Sequence, residues 1–204
     1  MTKFLFVTSP AVTVMPTVPV SQWPISEQGM KQIGALAQQP FWPTIAAVYA
    51  STDTRSYTAA DYLCAKHGIS CEMVDDLREI NRDSTGCLPL DEYVALIKQF
   101  YASPETSVRG WEPAQRAQER IVRAVSQLMD RHREETIAII GHGGVGTLLA
   151  CAIEGVPATY ERDPKTAGKL LEVDWENRRI LHWWEPYGEL SQEMRREIVG
   201  QRPR

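Results

Sequence analysis

Residues 136–155 read TIAIIGHGGVGTLLACAIEG. Thr136–Ile140 is apolar without alternation, as a strand covered on both faces of a parallel sheet must be. The run breaks at a glycine-rich turn, and Gly144–Ile153 follows at once as a helix. A buried strand, a tight turn and an immediate helix are the unit from which α/β sheets are assembled. Upstream, a helix from near Glu112 to about His132 carries Ile121, Val125, Leu128 and Met129 at i, i+4, i+7 and i+8. That spacing is a single apolar stripe.

The rest of the chain repeats the alternation. Lys3–Val7 and Thr44–Ala50 read as strands, and Ile69–Val74 as a third. Ser26 caps a helix running to about Gln38, and a helix from about Asp53 to Lys66 stops at His67-Gly68. Asp91–Tyr101 is a further helix. Leu170–Trp175 with Ile180–Trp184 forms a terminal hairpin. Pro10–Pro24 holds four prolines and has no period, so it reads as a loop. The expectation is a three-layer α/β/α sandwich with a mainly parallel central sheet.

Composition narrows the function. A chain of 204 residues, 43% hydrophobic and 24% charged, suits one globular domain over 1–204, with 188–204 as a polar, Arg-rich tail. A net charge of −4 argues against a nucleic-acid binder with a basic face and against a polybasic membrane anchor. No apolar run reaches 18 residues, so no spanning helix and no membrane partner are expected. The N-terminal apolar run ends after Val7, too short for a secretory leader. Cys64, Cys71, Cys87 and Cys151 show neither CxxC nor zinc-ligand spacing, which points to reduced thiols, no metal and a cytoplasmic location.

Gly141, Gly143 and Gly146 satisfy G-x-G-x-x-G, the dinucleotide fingerprint. That fingerprint belongs to a first βαβ unit and needs a later parallel strand ending in an acid. Here a hairpin follows and Asp163 lies in a loop, so the reading fails. The turn instead offers His142 at the C-terminal end of a central strand, where open α/β sheets bind ligands. Gly143 lets backbone approach a ligand, and the next helix aims N–H groups at an anion. Arg55 opens the helix after the second strand, placed to grip a phosphate or carboxylate. Glu79 follows the third strand and could hand a proton to a leaving group. Taken singly, a turn histidine, a surface arginine and a solvated glutamate are the simpler readings.

Together these loops resemble the histidine phosphatase superfamily, the clan of phosphoglycerate mutases and acid phosphatases, over about residues 3 to 185. The motifs in order are Phe4-Leu5-Phe6-Val7-Thr8-Ser9-Pro10, Pro24-Ile25-Ser26-Glu27-Gln28-Gly29, Ser51 through Ala59 with Arg55, Leu77-Arg78-Glu79, Gly110-Trp111-Glu112 through Arg120, and Gly141-His142-Gly143-Gly144. The resemblance implies a phosphoglycerate mutase-like fold and hydrolysis of a small phosphorylated metabolite through a covalent phosphoenzyme. Arg55, His142, Gly143 and the Thr8 position would hold phosphate, Glu79 would protonate the leaving alcohol, and no cofactor or metal is implied. Partners would be a small phosphorylated molecule or inorganic phosphate.

The departure lies in the first motif. The family places an arginine and a nucleophilic histidine where this chain has Thr8 and Ser9. A branch of the family reads T-H-P there, which leaves Ser9 as the anomaly. A serine hydroxyl attacks phosphorus only if a base removes its proton, whereas a neutral imidazole needs none. Three readings follow: a phosphatase scaffold impaired at position 9, a non-catalytic anion-binding pseudophosphatase, or a nucleophile replaced by substitution. The Asn81–Leu90 loop has no arginine pair for a substrate carboxylate, which favours phosphatase over mutase.

Overall fold

A computed structural model describes residues 2–191 and 194. Six strands form one sheet: β1 (Lys3–Thr8), β2 (Ile45–Ala50), β3 (Cys71–Met73), β4 (Thr136–Gly141), β5 (Lys169–Asp174) and β6 (Arg179–Pro186). Their order is β3-β2-β4-β1-β5-β6. The first four are mutually parallel, and the terminal hairpin adds β5 antiparallel to β1. The mainly parallel sheet is as the sequence predicts.

Alternate residues of these strands feed two separate cores, which makes the molecule three-layered. Phe4, Phe6, Tyr49, Ile137 and Ile139 face α3 (Leu90–Ala102), α4 (Ala114–Asp130) and α5 (Gly143–Glu154). Leu5, Val7, Val48, Ala50, Ala138 and Ile140 face α1 (Glu27–Leu36) and α2 (Thr54–His67). The period-2 geometry of a strand permits this only if both faces are apolar, and they are.

Local signals place the helices. The Ser26 hydroxyl accepts from the Gly29 amide at 3.1 Å and caps α1. Gly68 ends α2 with φ +65°, the left-handed conformation a C-terminal glycine supplies. The α4 stripe is fully buried, with Ile121 and Val125 at 0% exposure. The start of α4 differs from the expected Glu112, because Pro113 sits at its N-cap and the helix begins at Ala114. The Pro10–Pro24 loop is more ordered than expected: Val20–Gln22 make a short 3₁₀ turn, and Val12 bridges Ile25. Leu190 and Met194 are buried in the second core, so these two residues are docked and not part of a solvated tail. The remainder of the expected tail, 192, 193 and 195–204, falls outside the described residues.

Register sets up the site. Thr8 pairs with Gly141, and Ala50 with Ile140, so β1, β2 and β4 end level with one another. The ladder continues for one bond beyond each strand: Ser9 N donates to Gly141 O at 2.8 Å, and Ser51 N to Ile140 O at 2.9 Å.

Candidate functional site

Each strand of the parallel half delivers at least one candidate to the same edge. β1 runs into Thr8 and Ser9, β2 into Ser51 through Arg55, β3 into the turn before Glu79, and β4 into His142. Thr8, Ser9, Arg55, Glu79 and Gly143 line a common cleft of about 320 Å³. His142 lies directly behind Arg55.

The deepest part is a buried polar cluster. Arg55 Nε donates to Ser9 Oγ at 3.1 Å, Nη1 to the Val20 carbonyl at 2.6 Å, and Nη2 to His142 Nδ1 at 3.0 Å. A guanidinium has no acceptor, so His142 Nδ1 accepts and its proton sits on Nε2. That nitrogen faces Asp53 Oδ2 at 3.0 Å and Ser51 Oγ at 2.9 Å. His142 is 1% exposed and Arg55 6% exposed, so water cannot substitute for these partners.

Electrostatics follows from that geometry. Burial, and then the Arg55 charge, push the His142 ring below its usual range against the pull of Asp53 and Glu79, which favours its neutral form. Burial opposes the Asp53 carboxylate, but the His142 hydrogen bond and the Arg55 charge outweigh it and hold Asp53 below the ordinary value. Asp53 is a site residue to which the sequence assigns no role. Its only sequence-level signal was its place two residues before Arg55.

Glu79 does something the sequence did not suggest. Its carboxylate accepts from the amides of Ile80, Gly144 and Val145 at 3.0, 3.2 and 3.1 Å. The expectation that the first amides of α5 point at an anion is therefore corrected for two of them, because Glu79 occupies that place. Glu79 is fixed in turn by Arg120, which reaches Glu112 through Nε and Nη2 at 3.0 and 2.8 Å. Arg120 Nη1 also donates to the Asp76 and Arg78 carbonyls at 2.8 and 2.9 Å, which staples down the loop carrying Glu79.

The glycines of the G-x-G-x-x-G pattern are explained by packing. A Cβ on Gly141 would stand 2.6 Å from Phe6 Cζ, and one on Gly146 would stand 2.7 Å from Phe6 Cε1. They admit an aromatic ring, not a dinucleotide. Gly143 is approached by Pro164 Cγ at 2.7 Å, measured to the same hypothetical Cβ. Thr8 lines the cleft, and its hydroxyl accepts from Lys169 N at 2.9 Å. Among the described residues no group of three or more His, Cys, Asp or Glu is arranged to hold a metal ion. Among them, too, no helix is long and apolar enough to cross a membrane.

Comparison with known proteins supports the fold. Similar solved structures include YhfR of Bacillus stearothermophilus, at 20% identity and TM-score 0.73, covering 94% of this chain and 98% of that one. A mycobacterial glucosyl-3-phosphoglycerate phosphatase bound to inorganic phosphate has 15% identity and TM-score 0.77, covering 93% and 100%. A histidine-to-alanine mutant of phosphoserine phosphatase from Entamoeba histolytica, in complex with phosphoserine, has 13% identity and TM-score 0.76, again covering 93% and 100%. At these identities the likeness is one of fold. No curated protein matches the sequence significantly. The family model for branch 1 of the histidine phosphatase superfamily matches residues 19–185, a span that holds Arg55, Glu79 and His142 and begins after Ser9. With so much of the chain matched and the strand ends converging on one cleft, this protein belongs to branch 1 of the histidine phosphatase superfamily.

Proposed function

We propose that the cleft recognises the phosphoryl group of a small phosphorylated metabolite, on a phosphatase scaffold whose covalent route is closed at Ser9. The observation that carries this reading is the Arg55 guanidinium, which spans from Ser9 Oγ to His142 Nδ1. A phosphoryl group seated at Ser9 would meet this guanidinium first. Bidentate contact to two of its oxygens is what phosphoryl transfer asks of a protein. The solved relatives named above add support, one holding inorganic phosphate and one phosphoserine.

The same geometry argues against a serine mechanism. The one imidazole nitrogen facing Arg55 is spent on it, and the other faces Asp53 and Ser51. His142 is therefore not in place to take the Ser9 proton. To donate to an anion, His142 must take up a second proton on Nδ1 and release Arg55. Glu79 would give its proton to the leaving alkoxide, turning one oxygen from the α5 amides into the cleft. With a histidine at position 9, the ring nitrogen would bond to phosphorus as the P–O bond to the alcohol breaks. Water would then break the P–N bond while Glu79 takes its proton. A binding-only role, that of a pseudophosphatase, is the second reading, and the commitment of the His142 ring to Arg55, Asp53 and Ser51 favours it for the chain as it stands.

Steady-state hydrolysis of an aryl phosphate at pH 5 to 7 separates the outcomes. The chain as given should be nearly inert. Ser9→His should raise the rate on the order of a thousandfold, about 4 kcal/mol of barrier. Ordinary phosphatase rates in the unaltered chain, abolished by Ser9→Ala, would overturn the proposal in favour of a serine nucleophile. An inert but folded Ser9→His variant leaves binding as the function.

A further inference from the structure

Arg82 follows Glu79 by three residues and lines the cleft beside Arg55, Glu79 and Tyr93. Its Cζ stands 5.0 Å from the centre of the Tyr93 ring, which lays the side chain along the cleft wall. Tyr93 is itself half-buried on α3, so that wall is anchored in the core that contains Trp111 and Phe100. Arg78, in the same loop, is paired with Asp75, and Arg55 is paired with Asp53. Among the described residues no carboxylate lies within ion-pair distance of Arg82. Its charge is nevertheless felt at Arg55. Burial lowers the Arg55 pKa, Arg82 lowers it further, and Asp53 and Glu79 oppose both.

Two guanidinium groups thus share one cleft with Lys165, Glu79 and Asp163, and among the described residues Arg82 has no acid within ion-pair distance. Like charges held together in a low-dielectric wall are stabilised by an anion between them, and a dianion suits two cations. The β1 end of the cleft supplies no charge, because Thr8 and Ser9 are neutral. The cleft therefore has no cation at the end of β1 and, among the described residues, one without a partner acid on the Tyr93 wall.

We propose that Arg82 is a second phosphate-contacting residue, closing on the phosphoryl oxygens from the Tyr93 wall and supplying the charge that Thr8 does not. The inference rests on the phosphoryl-binding reading above. The ligand class is a phosphate dianion, free or as a monoester. A carboxylate or second phosphate on the leaving group is the competing occupant, and the probe is chosen to exclude it.

Inorganic phosphate has no leaving group. Its dissociation constant, read from protection against heating or by calorimetry, is compared in the unaltered chain, Arg82→Ala, Arg82→Gln, Arg82→Lys and Arg55→Ala. Arg82 is half-buried and its side chain makes no ion pair among the described residues, so the substituted chains should fold, as melting without phosphate will show. Arg82→Ala and Arg82→Gln should each weaken phosphate at least fivefold, and Arg82→Lys should recover most of the loss. A smaller change in both, with Arg55→Ala abolishing binding, overturns the assignment of Arg82 and leaves the phosphate pocket standing. No phosphate binding in the unaltered chain, whatever the variants do, overturns both.

Discussion

The two walls that meet at Ser9 are built on different principles. On the β2–β4 side, Ser51, Asp53, Arg55, Ser56 and His142 are all buried and each is bonded to another of the set. On the β1 side, Thr8 and Ser9 bring neutral hydroxyls, one turned to the Lys169 amide and the other accepting from Arg55. The first wall is over-determined, because removing any member leaves a buried partner unsatisfied at about 1–3 kcal/mol. The second costs little to alter. On the proposed reading, position 9 can therefore change while the buried set around Arg55 and His142 stays in place.

The sharpest test of that asymmetry uses Ser9→His as a background. Adding Arg55→Ala or His142→Ala should remove most of the thousandfold gain, about 4 kcal/mol, as aryl phosphate turnover will show. Retention of the gain in either double variant would mean that the two walls do not act on a common substrate.

Next in size is the stability of the loop behind Glu79. Arg120→Ala leaves Glu112 and the Asp76 and Arg78 carbonyls without their donor in a site only 9% exposed on the arginine side. Breaking a largely buried pair of this kind should cost about 3 kcal/mol in urea unfolding. Arg120→Lys should recover little, because an ammonium cannot reproduce the fork. In the Ser9→His background, Arg120→Ala should also slow turnover of substrates with poor leaving groups most, since Glu79 loses its position.

How much of this was legible in the sequence depends on how far a signal travels along the chain. The α4 stripe, the Ser26 cap and the Gly68 stop are written within a turn or two of where they act. The strand-end candidates were legible because a parallel sheet gathers the residues that follow its strands at one edge. Arg120 was quoted only as the end of a motif, for its partners lie 44 and 42 residues away. Asp53 carries no local signal, because its partner His142 comes from another strand. The α5 amides were misread for the same reason: a glycine-rich helix start looks open to an anion until Glu79, 65 residues upstream of Gly144, is seen to occupy it.

A smaller effect tests whether packing alone holds the β4 turn. Gly141→Ala puts a methyl against the Phe6 ring and should cost about 2 kcal/mol by overpacking. Phe6→Leu on top of it should return part of that loss, because the ring edge is what the methyl meets. If the pair is no better than additive in thermal melts, the glycine serves the backbone and not the ring.

The smallest effect is a pH dependence, and it reads the buried wall directly. His142 is held below its unfolded value near 6.5, with burial the largest cause and Arg55 the next. A group depressed on folding contributes stability that is complete above the unfolded value and is lost as pH falls through the folded one. The empty protein should therefore lose stability steadily as pH drops from about 7 toward 5. Asp53 stays ionised through that window, since it is held below 3.8, and its own loss begins only under pH 4. His67 is depressed in the same direction, also mainly by burial, so a residual slope belongs to it. Asp163 works the other way: burial raises it, and it relieves part of the acid loss. His142→Gln removes the titrating ring while leaving groups that can bond Arg55 and Asp53. Melting temperature against pH should flatten in this variant relative to the unaltered chain, and His67→Gln should flatten it less. If the two variants flatten the curve equally, the Arg55–His142–Asp53 wall is not what the proton disrupts.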